Sequence, residues 1–163
     1  MVMADTKISA LTELTAPVSG DWVPIVDTSA GATKKIDWVA IKTVVDVVDY
    51  GADPNGVADS KAAIDLAVNA AGNYGAVYFP DGTYLVNSTV TITNAGVKLY
   101  CNTLRSAIIN FSPSSSSSCF KFDLPQSPGA VSNLWFLSSD TTYVKKAIEM
   151  IDGSDFHIEG VRI

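Results

Sequence analysis

The residues through which this chain could do acid–base chemistry are the carboxylates of its second half: Asp81, Asp123, Asp140, Glu149, Asp152, Asp155 and Glu159. Hydrolysis of a glycosidic bond takes two carboxyl groups held ~5–10 Å apart across the scissile bond. Elimination takes a base beside an acidified carbon and a group that stabilises the resulting anion. Neither constellation is visible. Asp81, Asp152 and Asp155 fall in turn sequences, where an aspartate bonds its own backbone. Glu149 and Glu159 alternate with apolar neighbours and are expected to face solvent, and so is the lone histidine, His157, between Phe156 and Ile158. The run Asp53-x-Asn55-x-x-x-Asp59 offers oxygen ligands for calcium but lacks the spacing and closing glutamate of an EF-hand, and a turn followed by a helix cap accounts for it. Cys101 and Cys119 have no metal or redox spacing. Two readings of them stay open: small buried thiols in a reduced protein, or a disulfide. The chain is therefore expected to carry no catalytic residue, no cofactor-binding residue and no metal ligand.

Hydrophobic residues make up 47 % of the 163 residues and charged residues 17 %, enough for a real core and too apolar for wholesale disorder. The net charge of -6 argues against nucleic acid as a partner, because no basic stripe exists to neutralise phosphates. Lys34-Lys35 and Lys145-Lys146 are isolated pairs. No apolar run approaches the ~20 residues that span a bilayer, so membrane insertion is not expected. Met1 to Ala10 has no apolar core behind a basic start, which predicts a protein made in a cytosol and not exported by a signal peptide.

The elements that would position any site fall into three stretches. Residues 1–45 read as a small α+β module. Ile8, Leu11 and Leu14 recur at helical spacing, Trp22–Asp27 and Thr33–Trp38 form a hairpin, and Trp38–Val48 carries a mixed pattern compatible with a helix. Such a module buries too little to stand alone and is expected to lean on a partner or on copies of itself. Residues 46–75 hold a turn-rich loop through Gly56, then a helix over Ser60–Ala71 capped by Asp59 or Ser60 and closed by Gly72. Its narrow apolar stripe of Ala63, Ile64, Ala67, Val68 and Ala71 suits a lid over the open end of a sheet. Residues 76–163 are short apolar strands separated by corners: 76–79, 83–86, 89–93, 97–100, 107–111, 120–123, 131–137, 147–151, 156–158 and 161–163. An antiparallel sandwich and a parallel solenoid both fit such a pattern. Corners in place of two-residue hairpin turns, and a helix able to cap one end, favour the solenoid. The tract Ser112–Ser118 reads as a flexible surface loop or as a solvated corner. The pattern at Ile163 has no cap, so a solenoid ending there would expose a core rung, and the chain is expected to be the N-terminal part of a longer protein.

Three sets of residues carry a resemblance. Val48-Asp49-Tyr50-Gly51-Ala52-Asp53-Pro54-Asn55-Gly56 with Asp59, the helix around Ile64, and Phe79-Pro80-Asp81-Gly82-Thr83-Tyr84 resemble the start of the pectate-lyase-like right-handed β-helix superfamily. Asp152-Gly153-Ser154-Asp155-Phe156-His157-Ile158 resembles a later rung of the same helix. Lys7-Ile8-Ser9-Ala10-Leu11, Pro24-Ile25-Val26-Asp27 and Thr33-Lys34-Lys35-Ile36 resemble the virion-attachment module at the start of bacteriophage tail spikes and fibres. The combination implies a mainly β fold: a right-handed parallel β-helix with an N-terminal capping α-helix and a small attachment module. It also implies a homotrimeric phage tailspike in the virion, fixed to a tail or baseplate protein and directed at a bacterial surface polysaccharide. On that resemblance the full spike would be a depolymerase, hydrolase or lyase, with its active site in later rungs. A pectinase-like enzyme outside phage is the other possibility. Trp22 and Trp38 are candidate attachment residues, as interface anchors or as the module's own core.

Overall fold

Alternate residues of the strands after Val45 are apolar, and their pairing turns that alternation into the interior of a coil. The computed structural model describes residues 44–124, 128–138, 142–152 and 154–163, together with the backbone of 22–27 and 32–37. The chain forms two compact units, Met1–Lys42 and Thr43–Ile163. In the first, β1 (Trp22–Asp27) and β2 (Ala32–Asp37) pair antiparallel, with Trp22 opposite Asp37 and Asp27 opposite Ala32. The expected helix around Ile8, the site at Trp38 and the side chain of Trp22 lie outside the described residues.

The second unit begins with β3 (Val45–Asp46), a 3-10 turn (Val47–Tyr50), β4 (Asn55–Asp59) and α1 (Lys61–Ala71). Ten further strands follow. They are β5 (Ala76–Tyr78), β6 (Gly82–Val86), β7 (Val90–Ile92), β8 (Lys98–Tyr100), β9 (Ala107–Phe111), β10 (Ser117–Asp123), β11 (Gly129–Ser132), β12 (Leu134–Leu137), β13 (Lys145–Ile151) and β14 (Phe156–Glu159). They form a first sheet ordered β14-β11-β8-β5-β3, a second ordered β12-β9-β6-β4 and a third ordered β13-β10-β7. Every pairing within these sheets is parallel. Following the chain, the strands visit first, second and third sheet in rotation, which makes a parallel β-helix, right-handed as parallel crossovers almost always are. In the opening turn α1 occupies the place in that rotation where a strand of the third sheet would come.

Parallel register stacks equivalent side chains of successive turns. Val77, Leu99 and Val131 form one ladder, and Tyr84, Ile109 and Phe136 another. Val90 with Phe120, and Ile92 with Phe122, form two more. All of these residues are buried. Each large apolar side chain so removed from water contributes about 1.5–3 kcal/mol. Phe79 joins the ladders: its ring lies edge-on to Tyr84 at 5.6 Å and 6.1 Å from Phe120, which meets Phe136 edge-on at 5.6 Å. The buried phenol of Tyr84 donates to the Pro80 carbonyl at 2.9 Å, so it is not left unpaired. Helix α1 presses Ala63, Ile64, Ala67 and Val68 onto the first turn, with Val47 buried beside it.

Several expectations are corrected. Asn55–Asp59, taken as a loop, is a strand, because it pairs with β6 across a register shift. Val45–Tyr50 is a short strand and a 3-10 turn rather than the end of a helix; Asp46 caps the turn by accepting from the Val48 amide at 2.9 Å. The single strand predicted over 131–137 bends at Asn133, whose positive φ of 60° sends β11 and β12 into different sheets. Residues 161–163 contribute only a bridge between Arg162 and Trp135. At the helix start Ser60 makes no cap bond with its side chain; its Oγ accepts from the Asp53 amide at 3.0 Å, and Asp59 takes the Lys61 amide at 3.1 Å. Gly72 ends the helix with a positive φ of 66°.

The opening motif now has a physical explanation. Asp53 accepts from the amides of Asn55 (2.9 Å), Val57 (3.0 Å) and Ala58 (2.8 Å) and from the Asn55 side chain (3.0 Å). Those backbone hydrogen bonds, Ala58 first, lower its pKa from 3.8 to about 2. The loop then packs on the next turn: Thr83 donates to the Pro54 carbonyl at 2.7 Å, and a Cβ on Gly82 would sit 2.7 Å from that oxygen. Gly82→Ala is therefore expected to destabilise the fold by about 1–3 kcal/mol in denaturant titration. A depressed carboxylate stabilises above the unfolded pKa and loses that contribution as pH falls through the folded one. The deficit of Asp53→Asn against the parent should be full near neutral pH and shrink between about pH 4 and about pH 2, read as thermal midpoints across pH. A deficit independent of pH would contradict the assignment.

Candidate functional site

Strand alternation that buries Val90 and Ile92 turns Thr91 outward, and the same rule sets Lys121 on β10 and Glu149 on β13, both half-buried, on the outer face. Lys121 pairs in register with both Thr91 and Glu149, so the three form one row along the axis of the β-helix. Helix α1 sets Lys61, Asp65 and Asn69 at helical spacing beside Thr91, around a cavity of about 280 Å³. A second cavity, about 380 Å³, lies between Lys61, Asn87, Ser88 and Thr89 and the corner at Ser114 and Ser115. A third, about 250 Å³, is enclosed by Ser116, Ser117, Ser118, Val144, Lys146 and Glu149. Neighbouring cavities share Lys61 and Ser117, so they form one groove crossing successive turns.

The serine tract builds part of that groove as a bonded corner. Ser112 donates its amide to Val86 at 2.9 Å and Ser117 its amide to Val144 at 3.0 Å; the Val144 amide donates to Ser116 Oγ at 3.2 Å. Ser117 and Ser118 already belong to β10, one strand pair from β13. Ser118 Oγ, buried, donates to Glu149 Oε2 at 2.5 Å, and Lys146 Nζ donates to Oε1 at 2.6 Å. Glu149 is thus not the free solvent-facing carboxylate expected from alternation. The Lys146 and Ser118 hydrogen bonds hold its carboxyl below the usual glutamate range. Held ionised, it accepts hydrogen bonds at neutral pH and is unsuited to protonating a leaving group. Two more ion pairs border the row, Lys61 with Asp65 and Lys121 with Asp123, the latter at 4.0 Å. Lined by hydroxyls, amides and paired charges, the groove can hold an elongated polyhydroxylated ligand.

The other sequence candidates lie elsewhere. Asp81 was expected to bond locally. It instead accepts from Ser106 Oγ at 2.5 Å and Cys101 Sγ at 3.8 Å, tying its corner to that of the next turn. Asp152 and Asp155 do sit in left-handed turn conformations, φ 54° and 51°. His157 is exposed, 3.3 Å from Glu159. Cys101 and Cys119 are both free and buried, which removes the disulfide reading; burial pushes the Cys119 thiol up. Asp140 lies outside the described residues. Among the described residues no cluster of three metal-ligating side chains occurs, and no helix is long and apolar enough to cross a membrane. Sequence reasoning passed over the outer face of the first sheet, where Tyr78 and Tyr100 pack 5.4 Å apart and Lys98 lies 5.1 Å from the Tyr100 ring. It also missed Lys61, Asp65 and Thr91 as one surface; their helical and strand phases signalled exposure, but only the turn-to-turn register joins them.

In a pH titration followed by carboxyl NMR, Glu149 should titrate below an ordinary glutamate, and Lys146→Ala should move it up. An unmoved Glu149 would contradict the pairing.

A family model for rhamnogalacturonase A/epimerase, pectate-lyase-like proteins matches residues 44–145. In structure, the chain is similar to ORF18 of Geobacillus virus E2, with TM-score 0.60 and 20% identity over 83% of this chain and 32% of that one. It is also similar to the A-module of the Azotobacter vinelandii mannuronan C-5 epimerase AlgE4, with TM-score 0.53 and 21% identity over 71% of this chain and 37% of that one. By sequence, α-1,3-galactosidase A of Peterkaempfera griseoplana is 50% identical over 46 residues, 26% of this chain and 6% of that protein. The chain thus spans about a third of those solved structures and a small fraction of that enzyme. With its rotating sheets, capping helix and matched residues, the chain belongs to the rhamnogalacturonase A/epimerase, pectate-lyase-like family.

Proposed function

We propose that this chain is the N-terminal portion of a bacteriophage tailspike, whose β-helix recognises a bacterial surface polysaccharide. The observation that carries the polysaccharide half is the groove from Lys61 to Glu149, which crosses successive turns and offers hydroxyl, amide and carboxylate partners in line. A ligand that repeats along its length can engage such a groove turn after turn, gaining by multiplicity what each contact lacks. The phage half draws support from the similarity in fold to a Geobacillus virus protein over 83% of the chain. On this reading the unit Met1–Lys42, with Trp22 and Trp38, fixes the spike to a tail or baseplate protein. Three copies would assemble side by side in the virion.

A second reading is favoured by the family itself. The full-length parent is a polysaccharide-cleaving or -modifying enzyme, since the matched model describes a rhamnogalacturonase and epimerase group. Under both readings the groove binds saccharide; the difference is whether chemistry follows.

Sedimentation equilibrium of the intact chain separates the proposals. A trimer is expected at micromolar concentration, and a strictly monomeric species would contradict the tailspike. Release of reducing ends from a polysaccharide, or absorbance of unsaturated uronates, by the full-length parent would establish the enzymatic reading, and this chain alone should be inactive in both assays.

A further inference from the structure

The groove that is proposed to hold saccharide neutralises its own charges, and this constrains what it selects. Two lysines line it, Lys61 and Lys146, and a third, Lys121, stands in the row between Thr91 and Glu149; each has a carboxylate of its own. Lys61 pairs with Asp65 one helical turn on, Lys121 lies 4.0 Å from Asp123, and Lys146 donates to Glu149 at 2.6 Å. Lys145, at the same corner, is engaged as well. On other faces Lys98 and Arg162 lie against the rings of Tyr100 and Trp135, at 5.1 and 4.6 Å. Apart from Pro113 and Val144, the remaining groove-lining side chains are hydroxyls and amides such as Asn69, Asn87 and Thr91.

From this we infer that the groove is built for an uncharged polysaccharide, and discriminates against polyuronates. A uronate carboxylate entering it meets Asp65 beside Lys61, Asp123 beside Lys121 and Glu149 beside Lys146. It must displace a carboxylate already in place or sit next to one, and like charges brought together at an interface oppose binding. A neutral sugar meets no such opposition. Its hydroxyls can donate to Glu149 or Asp65 and accept from the lysines without breaking the pairs. The net charge of -6 acts in the same direction at long range, repelling polyanions before contact.

This inference rests on the saccharide-binding reading, and its test separates the two. Calorimetric titration of the intact chain would compare neutral galactan and dextran with polygalacturonate and alginate, each at low and high salt. Neutral polymer should bind with an affinity that salt leaves unchanged, and the uronates should bind more weakly or not at all. Asp65→Asn and Glu149→Gln keep shape while freeing Lys61 and Lys146. Each should raise polyuronate affinity about fivefold at low salt, the worth of one exposed ion-pair contact, and lose that gain at high salt. Asp65 lies on the outer face of the helix, so its variant carries the test should Glu149→Gln fail to fold. Polyuronate binding preferred by the parent chain and weakened by salt would overturn the inference and leave saccharide binding standing. Binding of no polymer would overturn both.

Discussion

Successive turns of a parallel coil lie about 4.8 Å apart, and that spacing obliges each inward side chain to pack on its equivalent one turn away. The rest of the structure depends on this stacking. Tyr84 rests over Ile109 and Ile109 over Phe136, while Val77, Leu99 and Val131 do the same on the first sheet. A ladder has two ends, and neither can be left to water at no cost. Helix α1 answers the problem at the first turn: its alanines with Ile64 and Val68 are buried in the place where a strand of the third sheet would precede β7. At the far turn Met150, Ile158 and Ile163, the next members of the same pattern, are exposed.

The register that stacks the interior also writes the exterior. Because residues alternate, every inward ladder has an outward row beside it, and the row Thr91, Lys121, Glu149 exists because Val90, Phe120 and Ile148 are stacked behind it. The groove is thus a consequence of core packing: a slip of one residue in β10 would bury Lys121 and expose Phe120. The capping helix serves both sides, burying Ala63 and Ile64 while offering Lys61 and Asp65 to the groove.

Much of the fold was legible in the sequence because its signals are local. The helix over Ser60–Ala71, the Pro80-Asp81-Gly82 corner and the strand at 107–111 follow from periodicity and turn chemistry alone, and the solenoid followed from corners that bend without reversing. What escaped was set by distant pairing. Asn55–Asp59 has no strand alternation of its own and becomes a strand by lying against β6. Asn133 splits two strands through one left-handed residue whose side chain donates to the Cys101 carbonyl at 3.0 Å. Ala76 pairs with Lys98 and Lys98 with Ala130, so turns differ in length and no sequence repeat could show the coil. The groove was less legible still. Glu149 reads as an exposed carboxylate until β10 brings Ser118 beside it, and the serine tract reads as low complexity until its amides are seen bonding Val86 and Val144.

Saccharide binding is assigned to the groove along the third sheet. Hydrogen–deuterium exchange of the intact chain with and without a saturating neutral polysaccharide tests this most directly. Protection should appear along the outer face of α1, at residues 87–91, through 114–118 and at 145–149. Protection confined to the Tyr78 and Tyr100 face of the first sheet, or none at all, would contradict it.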